Sequence, residues 1–181
     1  MERFVEAEAI GTAVVVGVGR RRFPNEGIVE DRLGSSVRIV AACDLVARWS
    51  PWPAVVCDGR RLPFCTGAVD LVVSNAVVEH VGGEDDQRAL IEEQARVGRQ
   101  WVVTTPNRWF PVESHTSALF RHWSARWRDA RTPTFTRLLS RSELARIVPP
   151  GSRVRGSPIA ATFLAHGARQ GGAGSACPPP G

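Results

Sequence analysis

Residues 69–81, VDLVVSNAVVEHV, predict the centre of the fold. The first five are apolar apart from Asp70, and three of them are valine. A short apolar run of this kind is typical of a strand that helices cover on both faces. Ser74 and Asn75 end the run with polar groups. Because ligands bind at the carboxyl ends of strands in an open α/β sheet, above all where the strand order reverses, we expect a site here.

Two other apolar runs end in the same way. Ala13–Val18 runs into Gly17 and Gly19, and Val37–Cys43 is followed at once by Asp44. Glycine lets the backbone turn tightly and approach a ligand, and a carboxylate accepts hydrogen bonds from one. Three strand ends with ligand-type residues predict one shared crevice in a doubly wound, Rossmann-like and mostly parallel α/β sheet.

The remaining elements follow from apolar periodicity and capping signals. Further strands are predicted at Ala54–Cys57 and Trp101–Thr105, and helices at Glu26–Leu33, Asp86–Val97, Thr116–Ala130 and Arg141–Val148. Asp85 or Asp86 is expected to cap the second helix, and Ser140 with Glu143 forms a capping box for the last. The aromatic stripe of Thr116–Ala130 indicates either core packing, which we favour, or a lid over an acceptor pocket.

Length and charge bound the protein class. The 181 residues predict one folded domain at residues 1–168, followed by a disordered tail rich in glycine and proline at residues 169–181. The formal net charge is +5, no lysine occurs, and residues 99–137 carry seven arginines against Glu113 and Asp129. Arginine suits phosphate and carboxylate contacts. A coding bias explains the missing lysine as well, and we favour it.

The cysteines bear on metal binding and location. Cys43, Cys57, Cys65 and Cys177 lack the spacing of a zinc site, so no metal is predicted. Free thiols are expected, and these fit a reducing cytoplasm. The N-terminus lacks the apolar core of a signal peptide, and no apolar run approaches the roughly 18 residues that span a bilayer. A cytoplasmic protein without membrane insertion is predicted.

Asp44 and Asp58 are the candidate groups for binding a nucleoside. Asp44 lies 25 residues after Gly19, where a carboxylate can accept both ribose hydroxyls, with a helix N-cap as the alternative. Asp58 and Gly59 follow the third strand. There the carboxylate can accept from the exocyclic amine of a base, with a turn aspartate before glycine as the alternative. The Gly17-x-Gly19 loop lacks the third glycine of a dinucleotide fingerprint.

Three segments together resemble class I S-adenosylmethionine-dependent methyltransferases of the methyltransferase type 11 kind. They are residues 58–64 (DGRRLPF), 69–81 and 101–116 (WVVTTPNRWFPVESHT). The resemblance extends from Ala13 to about Leu144. It implies a sheet that ends in an antiparallel hairpin, here formed by Ser152–Gly156 and Ile159–His166.

The same resemblance implies S-adenosylmethionine as the cofactor. The contacts that it implies are Gly17 and Gly19 for the methionine part, Asp44 for the ribose, Asp58 with Gly59 beside it for the adenine, and Asn75, Ala76 and Val77 near the reactive part. The chain departs from the family pattern at Val15, where an acidic residue is usual, and in the missing third glycine.

Methyl transfer from a sulfonium is an in-line displacement, and holding donor and acceptor in near-attack geometry can supply roughly 7–11 kcal/mol of the barrier. If the acceptor is a hydroxyl, a general base helps, and His80 and His115 are the candidates. A structural role is the alternative for each histidine, and we favour it. Glu79 and Glu113 are weaker candidates for the base.

Three hypotheses follow. The leading one is an enzyme that methylates a small-molecule or glycan-like hydroxyl. The second is a degenerate relative that binds a partner without catalysis, and the third is a nicotinamide-dependent oxidoreductase, which the absence of any tyrosine disfavours. Nucleic acid as the acceptor is not favoured, because residues 74–77 (SNAV) lack the Asp/Asn-Pro-Pro-aromatic signature of enzymes that methylate a flipped base. The oligomeric state stays open.

Overall fold

The computed structural model describes residues 10–18, 28–47, 49–111, 124 and 137–169. Several predicted features lie outside these residues and stay predictions. They are Gly19, Glu113, His115, the helix Thr116–Ala130 and most of the tail. Arg169, which the prediction places at the start of the tail, is described, and its N–H donates to the carbonyl of Arg99 at 2.7 Å.

Seven strands form one sheet in the order β3-β2-β1-β4-β5-β7-β6. The strands are β1 Thr12–Val16, β2 Arg38–Asp44, β3 Ala54–Val56, β4 Val69–Asn75, β5 Gly98–Pro106, β6 Arg153–Arg155 and β7 Thr162–Ala168. The pairs among β1 to β5 are parallel, whereas β7 runs antiparallel to both β5 and β6. The predicted α/β class, the mostly parallel sheet and the antiparallel final hairpin are confirmed.

Helices cover both faces of this sheet. They are α1 Ile28–Gly34, α2 Glu84–Val97 and α3 Arg141–Ile147, with a short 3₁₀ helix at Val78–His80 after β4. In the part of the chain that the structure describes, no helix is long and apolar enough to cross a membrane.

The core explains the continuous apolar runs in the sequence. Successive side chains of a strand point to opposite faces. In β4, Val72 packs into a cluster with Leu90 of α2, whereas Leu71 and Val73 pack into a second cluster with Leu33 of α1. All three β4 side chains are fully buried. A strand between two helical layers therefore needs apolar residues at every position.

Element boundaries differ from the prediction where glycine decides the geometry. β1 ends at Val16 rather than Val18, because Gly17 has a φ of +79° and turns the chain out of the sheet. β5 begins at Gly98 rather than Trp101, because α2 passes into the strand without a loop and Gly98 already pairs with Val69.

The two predicted helix caps have different outcomes. The N-cap of α2 is Gly83, and the prediction of Asp85 or Asp86 is wrong. Asp86 acts from the third helical position, where its carboxylate accepts the Gly83 N–H at 3.2 Å. The capping box of α3 is confirmed, because the Ser140 N–H donates to Glu143 Oε2 at 2.8 Å and the Glu143 N–H donates to Ser140 Oγ at 3.3 Å.

The cysteines depart in part from expectation. Cys43 and Cys57 carry free thiols. Cys65 is disulfide-bonded, so the expectation of free thiols is wrong at this residue. The spacing of cysteines along the chain does not show which thiols lie close together in the fold. This disulfide bond could therefore not be predicted from the sequence.

Asp70 fixes the amino-terminal edge of the sheet. Its Oδ2 accepts the N–H groups of Gly11 and Thr12 at 3.1 and 3.0 Å and the Thr12 hydroxyl at 2.9 Å. Arg99 lies 3.3 Å from Oδ1. Burial raises the pKa of Asp70, but the hydrogen bonds from Thr12 and Gly11 and the charge of Arg99 outweigh it, so the pKa is lowered. The one charged residue in the apolar run thus ties β4 to the start of β1.

Replacing Asp70 tests this contact. Asp70→Asn should lower the free energy of unfolding at pH 7 by about 1–3 kcal/mol, because three donors lose a charged acceptor. A carboxyl group with a lowered folded-state pKa stabilises the protein above its unfolded pKa of about 3.9, and the contribution is lost as the pH falls through the folded value. The difference between the variant and the wild type should therefore shrink below about pH 4.

Urea unfolding at pH 7 and at pH 3 measures this difference. Glu92→Gln, on the exposed face of α2, is the matched control and should change little at either pH. Equal stability of Asp70→Asn and Glu92→Gln at pH 7 would contradict the assigned role.

Candidate functional site

A cavity of about 440 Å³ opens at the carboxyl ends of β1 to β4. The strand order reverses between β1 and β4, and this switch point is where open α/β sheets bind ligands. The predicted site residues that line the cavity are Gly17, Asp44, Asp58, Gly59, Asn75, Ala76, Val77 and His80. The predicted residues Gly19 and His115 lie outside the described part of the chain. The structure therefore brings together these eight residues, whereas Glu79, a weaker candidate for the base, does not line the cavity.

Gly17 forms the floor of the cavity at the end of β1. Its N–H donates to the Cys43 carbonyl at 2.8 Å, which holds the turn against β2. With a φ of +79°, a Cβ at this position would lie 2.3 Å from Val77 Cγ2. Only glycine allows this turn to pack directly against the chain that leaves β4.

Asp44 lies at the end of β2 and is half-buried. Its carbonyl accepts the Cys57 N–H at 2.9 Å, so the ends of β2 and β3 are joined beside the cavity. No helix follows Asp44 within residues 45–47 and 49–53. The helix N-cap alternative does not hold for these residues.

Asp58 takes part in a turn and lines the cavity as well. Its Oδ1 accepts the backbone N–H of Arg60 at 2.9 Å, as in the turn-aspartate alternative. The Arg60 side chain donates to both carboxylate oxygens, with Nη2 2.6 Å from Oδ2. These hydrogen bonds from Arg60 lower the pKa of Asp58. Gly59 is forced by packing, because a Cβ there would lie 2.7 Å from Leu90 Cδ1.

The end of β4 has an unusual backbone. Ala76 has a φ of +54°, in the left-handed region that a side chain disfavours by roughly 1–2 kcal/mol. Its N–H donates to the Thr104 carbonyl at 3.1 Å, and the Thr104 hydroxyl donates to Asn75 Oδ1 at 2.6 Å. Strain of this kind persists where neighbours fix the conformation, and it clusters at functional sites.

His80 ends the 3₁₀ helix and lies exposed on the cavity wall. A buried polar network supports this helix. Gln87 Nε2 donates to the carbonyls of Val78 and Arg137 at 3.0 and 3.1 Å, and the Arg137 N–H donates to the Glu79 carbonyl at 2.7 Å. The Glu79 side chain is buried, and its Oε2 accepts from Thr105 Oγ1 at 3.1 Å, so it serves the interior rather than the cavity wall.

Two thiols and one guanidinium line the cavity without having been predicted. Burial raises the pKa of the Cys43 thiol to about 12 and also raises that of Cys57, so both stay protonated near neutral pH. Each cysteine directly precedes one of the two site aspartates, and this position in the sequence could have indicated that both thiols lie near the cavity. Arg60 belongs to the quoted DGRRLPF segment, but the segment gave no direction for its side chain.

The described arginines of residues 99–137 form ion pairs. Arg99 pairs with Asp70 at 3.3 Å, Arg108 with Glu143 at 3.0 Å and Arg137 with Glu84 at 3.1 Å. Burial raises the pKa of Glu143, but hydrogen bonds from Ser140 and the charges of Arg108 and Arg137 outweigh it and lower the pKa. These three arginines are engaged within the protein. Among the described residues, no group of three or more histidine, cysteine or acidic residues could hold a metal ion.

A family model described as a methyltransferase domain matches residues 34–100 of the chain. This segment contains Asp44, Asp58, Gly59 and the end of β4, so the resemblance seen in the sequence is confirmed there. The match includes neither Gly17 nor the residues after position 100, which include most of β5. No curated protein sequence matches the chain.

Solved structures share the fold at low sequence identity. A chain in the complex of the Trm112 methyltransferase activator from Haloferax volcanii is 16% identical, with a TM-score of 0.60 over 93% of this chain and 88% of that one. The N-methyltransferase NodS from Bradyrhizobium japonicum, solved with S-adenosyl-L-homocysteine, is 12% identical, with a TM-score of 0.54 over 90% and 79%.

Geranyl diphosphate C-methyltransferase from Streptomyces coelicolor is 16% identical, with a TM-score of 0.57 over 93% and 79% of the two chains. At these identities the likeness shows the fold, which is that of class I methyltransferases.

Gly17→Ala tests the close packing at the cavity floor. The added methyl group meets Val77 and a disfavoured φ, so we expect a loss of about 2–4 kcal/mol in the free energy of unfolding, measured by urea denaturation. Gly83→Ala is the reference, because nothing lies within 4 Å of a Cβ there and the loss of an N-cap glycine should cost no more than about 1 kcal/mol. Adding Val77→Ala to Gly17→Ala should recover part of the loss. Equal stability of the two glycine variants would refute the assigned packing.

Proposed function

We propose that this protein is an S-adenosylmethionine-dependent methyltransferase that acts on a small-molecule or glycan-like hydroxyl. The observation that carries the proposal is the convergence of Gly17, Asp44 and Asp58 on one cavity at the switch point of the sheet. The family match over residues 34–100 supports it independently, because that segment includes both aspartates.

The residues present fit the proposed cofactor. The cavity of about 440 Å³ lies within the roughly 300–1,000 Å³ of small-molecule sites. Gly17 and Gly59 line the cavity, and both are held to glycine because a Cβ would meet Val77 or Leu90. Asp44 supplies an acceptor for ribose hydroxyls, and Asp58 supplies one for the adenine amine.

When bound, S-adenosylmethionine would supply a methyl group on a positively charged sulfur; the acceptor would bond to the methyl carbon in line as the carbon–sulfur bond breaks and the neutral thioether leaves. The left-handed turn at Ala76 directs the chain from β4 along the cavity wall to His80. In the proposed reaction, His80 takes the proton that the acceptor hydroxyl loses as its oxygen bonds to the methyl carbon. His115 remains an alternative base by its position in the sequence.

Two observations favour a small acceptor over a nucleic acid, and a hydroxyl group is proposed because His80 supplies a base beside the cavity. β4 is followed by Ala76 and Val77 rather than by the paired prolines of enzymes that methylate a flipped base. Two of the described arginines of residues 99–137, Arg108 and Arg137, are only 24% and 20% exposed and pair with acids, which favours a small acceptor over a polyanion. We further propose a cytoplasmic location; the free thiols of Cys43 and Cys57 support it, and the disulfide at Cys65 counts against it.

Calorimetric titration tests the cofactor first. The purified protein should bind S-adenosylmethionine and S-adenosylhomocysteine, with NADH as the negative control. Binding of NADH alone would favour the oxidoreductase, and binding of none of the three would favour a degenerate, partner-binding domain.

Asp44→Ala should weaken binding of S-adenosylhomocysteine about 10- to 100-fold while leaving the protein folded, because a charged acceptor contributes about 1.5–3 kcal/mol per hydrogen bond. Calorimetry measures the affinity, and circular dichroism checks the fold. Asp85→Ala, exposed in the first turn of α2 and outside the cavity wall, is the matched control. An unchanged affinity in folded Asp44→Ala would remove Asp44 from the ribose site.

His80→Asn should lower the turnover number about 10²-fold or more without changing the affinity for S-adenosylhomocysteine. The measurement is transfer of a radiolabelled methyl group to a panel of hydroxylated small molecules and oligosaccharides. His166→Asn is the control, since His166 lies on β7 and accepts from Arg155 Nε at 3.2 Å. Full turnover in His80→Asn would move the role of the base to another group.

A further inference from the structure

Arg60 occupies the acceptor atoms of Asp58. The Asp58 carboxylate is held in place by the backbone, because its Oδ1 accepts the Arg60 N–H at 2.9 Å. The guanidinium then adds contacts to both oxygens, with Nε 3.1 Å from Oδ1 and 3.0 Å from Oδ2, and Nη2 2.6 Å from Oδ2. Three N–H groups of Arg60 thus reach the carboxylate, and the Nε–H is shared between its two oxygens, so most of the about four acceptor positions of the carboxylate are filled.

The same guanidinium has a second anchor. Arg60 Nη1 lies 2.5 Å from Asp86 Oδ1, in the first turn of α2. Arg60 therefore spans the gap between the end of β3 and the start of α2, and it lines the cavity. The side chains of Arg60, Asp58 and Asp86 are 39%, 34% and 43% exposed, so solvent and salt reach the bridge.

We propose that Arg60 is a latch on the adenine side of the cavity and that it determines how tightly the cofactor binds. The proposal rests on the proposed function. An adenine amine that donates to Asp58 competes with the guanidinium, since Arg60 already donates to both oxygens. Opening the Asp58–Arg60–Asp86 bridge therefore reduces the net free energy of cofactor binding. Arg60 acts through Asp58 and is a positioning residue.

The latch predicts that the affinity for S-adenosylhomocysteine rises with salt concentration. Screening weakens exposed ion pairs, and S-adenosylhomocysteine carries no net charge near neutral pH. Raising the NaCl concentration should therefore loosen the bridge and strengthen binding of this ligand to the wild type. A ligand held by unobstructed charged groups shows the opposite trend or none.

Calorimetry on four full-length proteins tests the latch, with S-adenosylhomocysteine as the probe. Arg60→Ala should bind about three- to tenfold more tightly than the wild type, the range expected from releasing one or two exposed ion pairs. Asp86→Asn, which removes the second anchor, should shift the affinity in the same direction by a smaller factor. Arg61→Ala removes an equal charge from the neighbouring exposed residue and should leave the affinity unchanged.

A second ligand separates displacement at Asp58 from a general effect of charge. The purine analogue of S-adenosylhomocysteine has a hydrogen atom where adenine has its amine and no N–H group on the base, so the base cannot donate to Asp58. The affinity of this analogue should not rise in Arg60→Ala, whereas that of S-adenosylhomocysteine should. The variant should therefore discriminate between the two ligands more strongly than the wild type does.

The outcomes distinguish this inference from the function on which it rests. Weaker or equal binding of S-adenosylhomocysteine by Arg60→Ala, while the wild type binds, would overturn the latch alone. A parallel gain for both ligands would also overturn it. Failure of all four proteins to bind either ligand would overturn the proposed cofactor, and the latch with it.

Discussion

Burial of β4 on both faces is the constraint on which the rest of the structure depends. The strand is paired with β1 on one edge and with β5 on the other, so every backbone group in its centre has a partner in the sheet. Its side chains alternate between two apolar clusters, and each cluster must be closed by helices. A strand fixed in this way can present its polar residues only at its ends. Asp70 at one end secures the sheet, and Asn75 at the other reaches the cavity.

The site is a product of the same constraint. The carboxyl ends of parallel strands lie at the same edge of the sheet. The residues that follow β1, β2, β3 and β4 therefore come close together although they are far apart in the sequence. The contact of Gly17 with Val77 and the hydrogen bond between Asp44 and Cys57 then set the distances between these ends. Packing and backbone hydrogen bonds therefore bound the cavity on its β1 and β2 side, whereas Arg60 bounds it on the β3 side through ion pairs exposed to solvent.

Much of this could be predicted from the sequence, because apolar runs and their polar ends are local signals. The α/β class and the location of Gly17, Asp44, Asp58 and Asn75 at strand ends follow from period and order, whereas the antiparallel final hairpin was implied by the resemblance to a family. The bridge between Arg60 and Asp86 could not be predicted, because it joins residues 26 positions apart through flexible side chains. The support of Thr104 for Asn75 depends on the register of β4 against β5, which periodicity does not specify. The N-cap of α2 was misplaced because an acid is favoured both at the N-cap and at the third helical position, although it accepts a different backbone N–H from each.

The direct passage from α2 into β5 at Gly98 has a consequence for how this chain can vary. Trp101 and Val103 of β5 face one apolar cluster and Val102 faces the other, and no loop residue precedes the strand to absorb a change in length. One extra residue at this joint would exchange the two faces along all of β5, because the period of a strand is two. Substitutions can accumulate on the exposed side of α2, but insertions and deletions at residues 97–98 are excluded. As this sequence diverges, the direct connection between α2 and β5 should change less than the identities of the residues on either side of it.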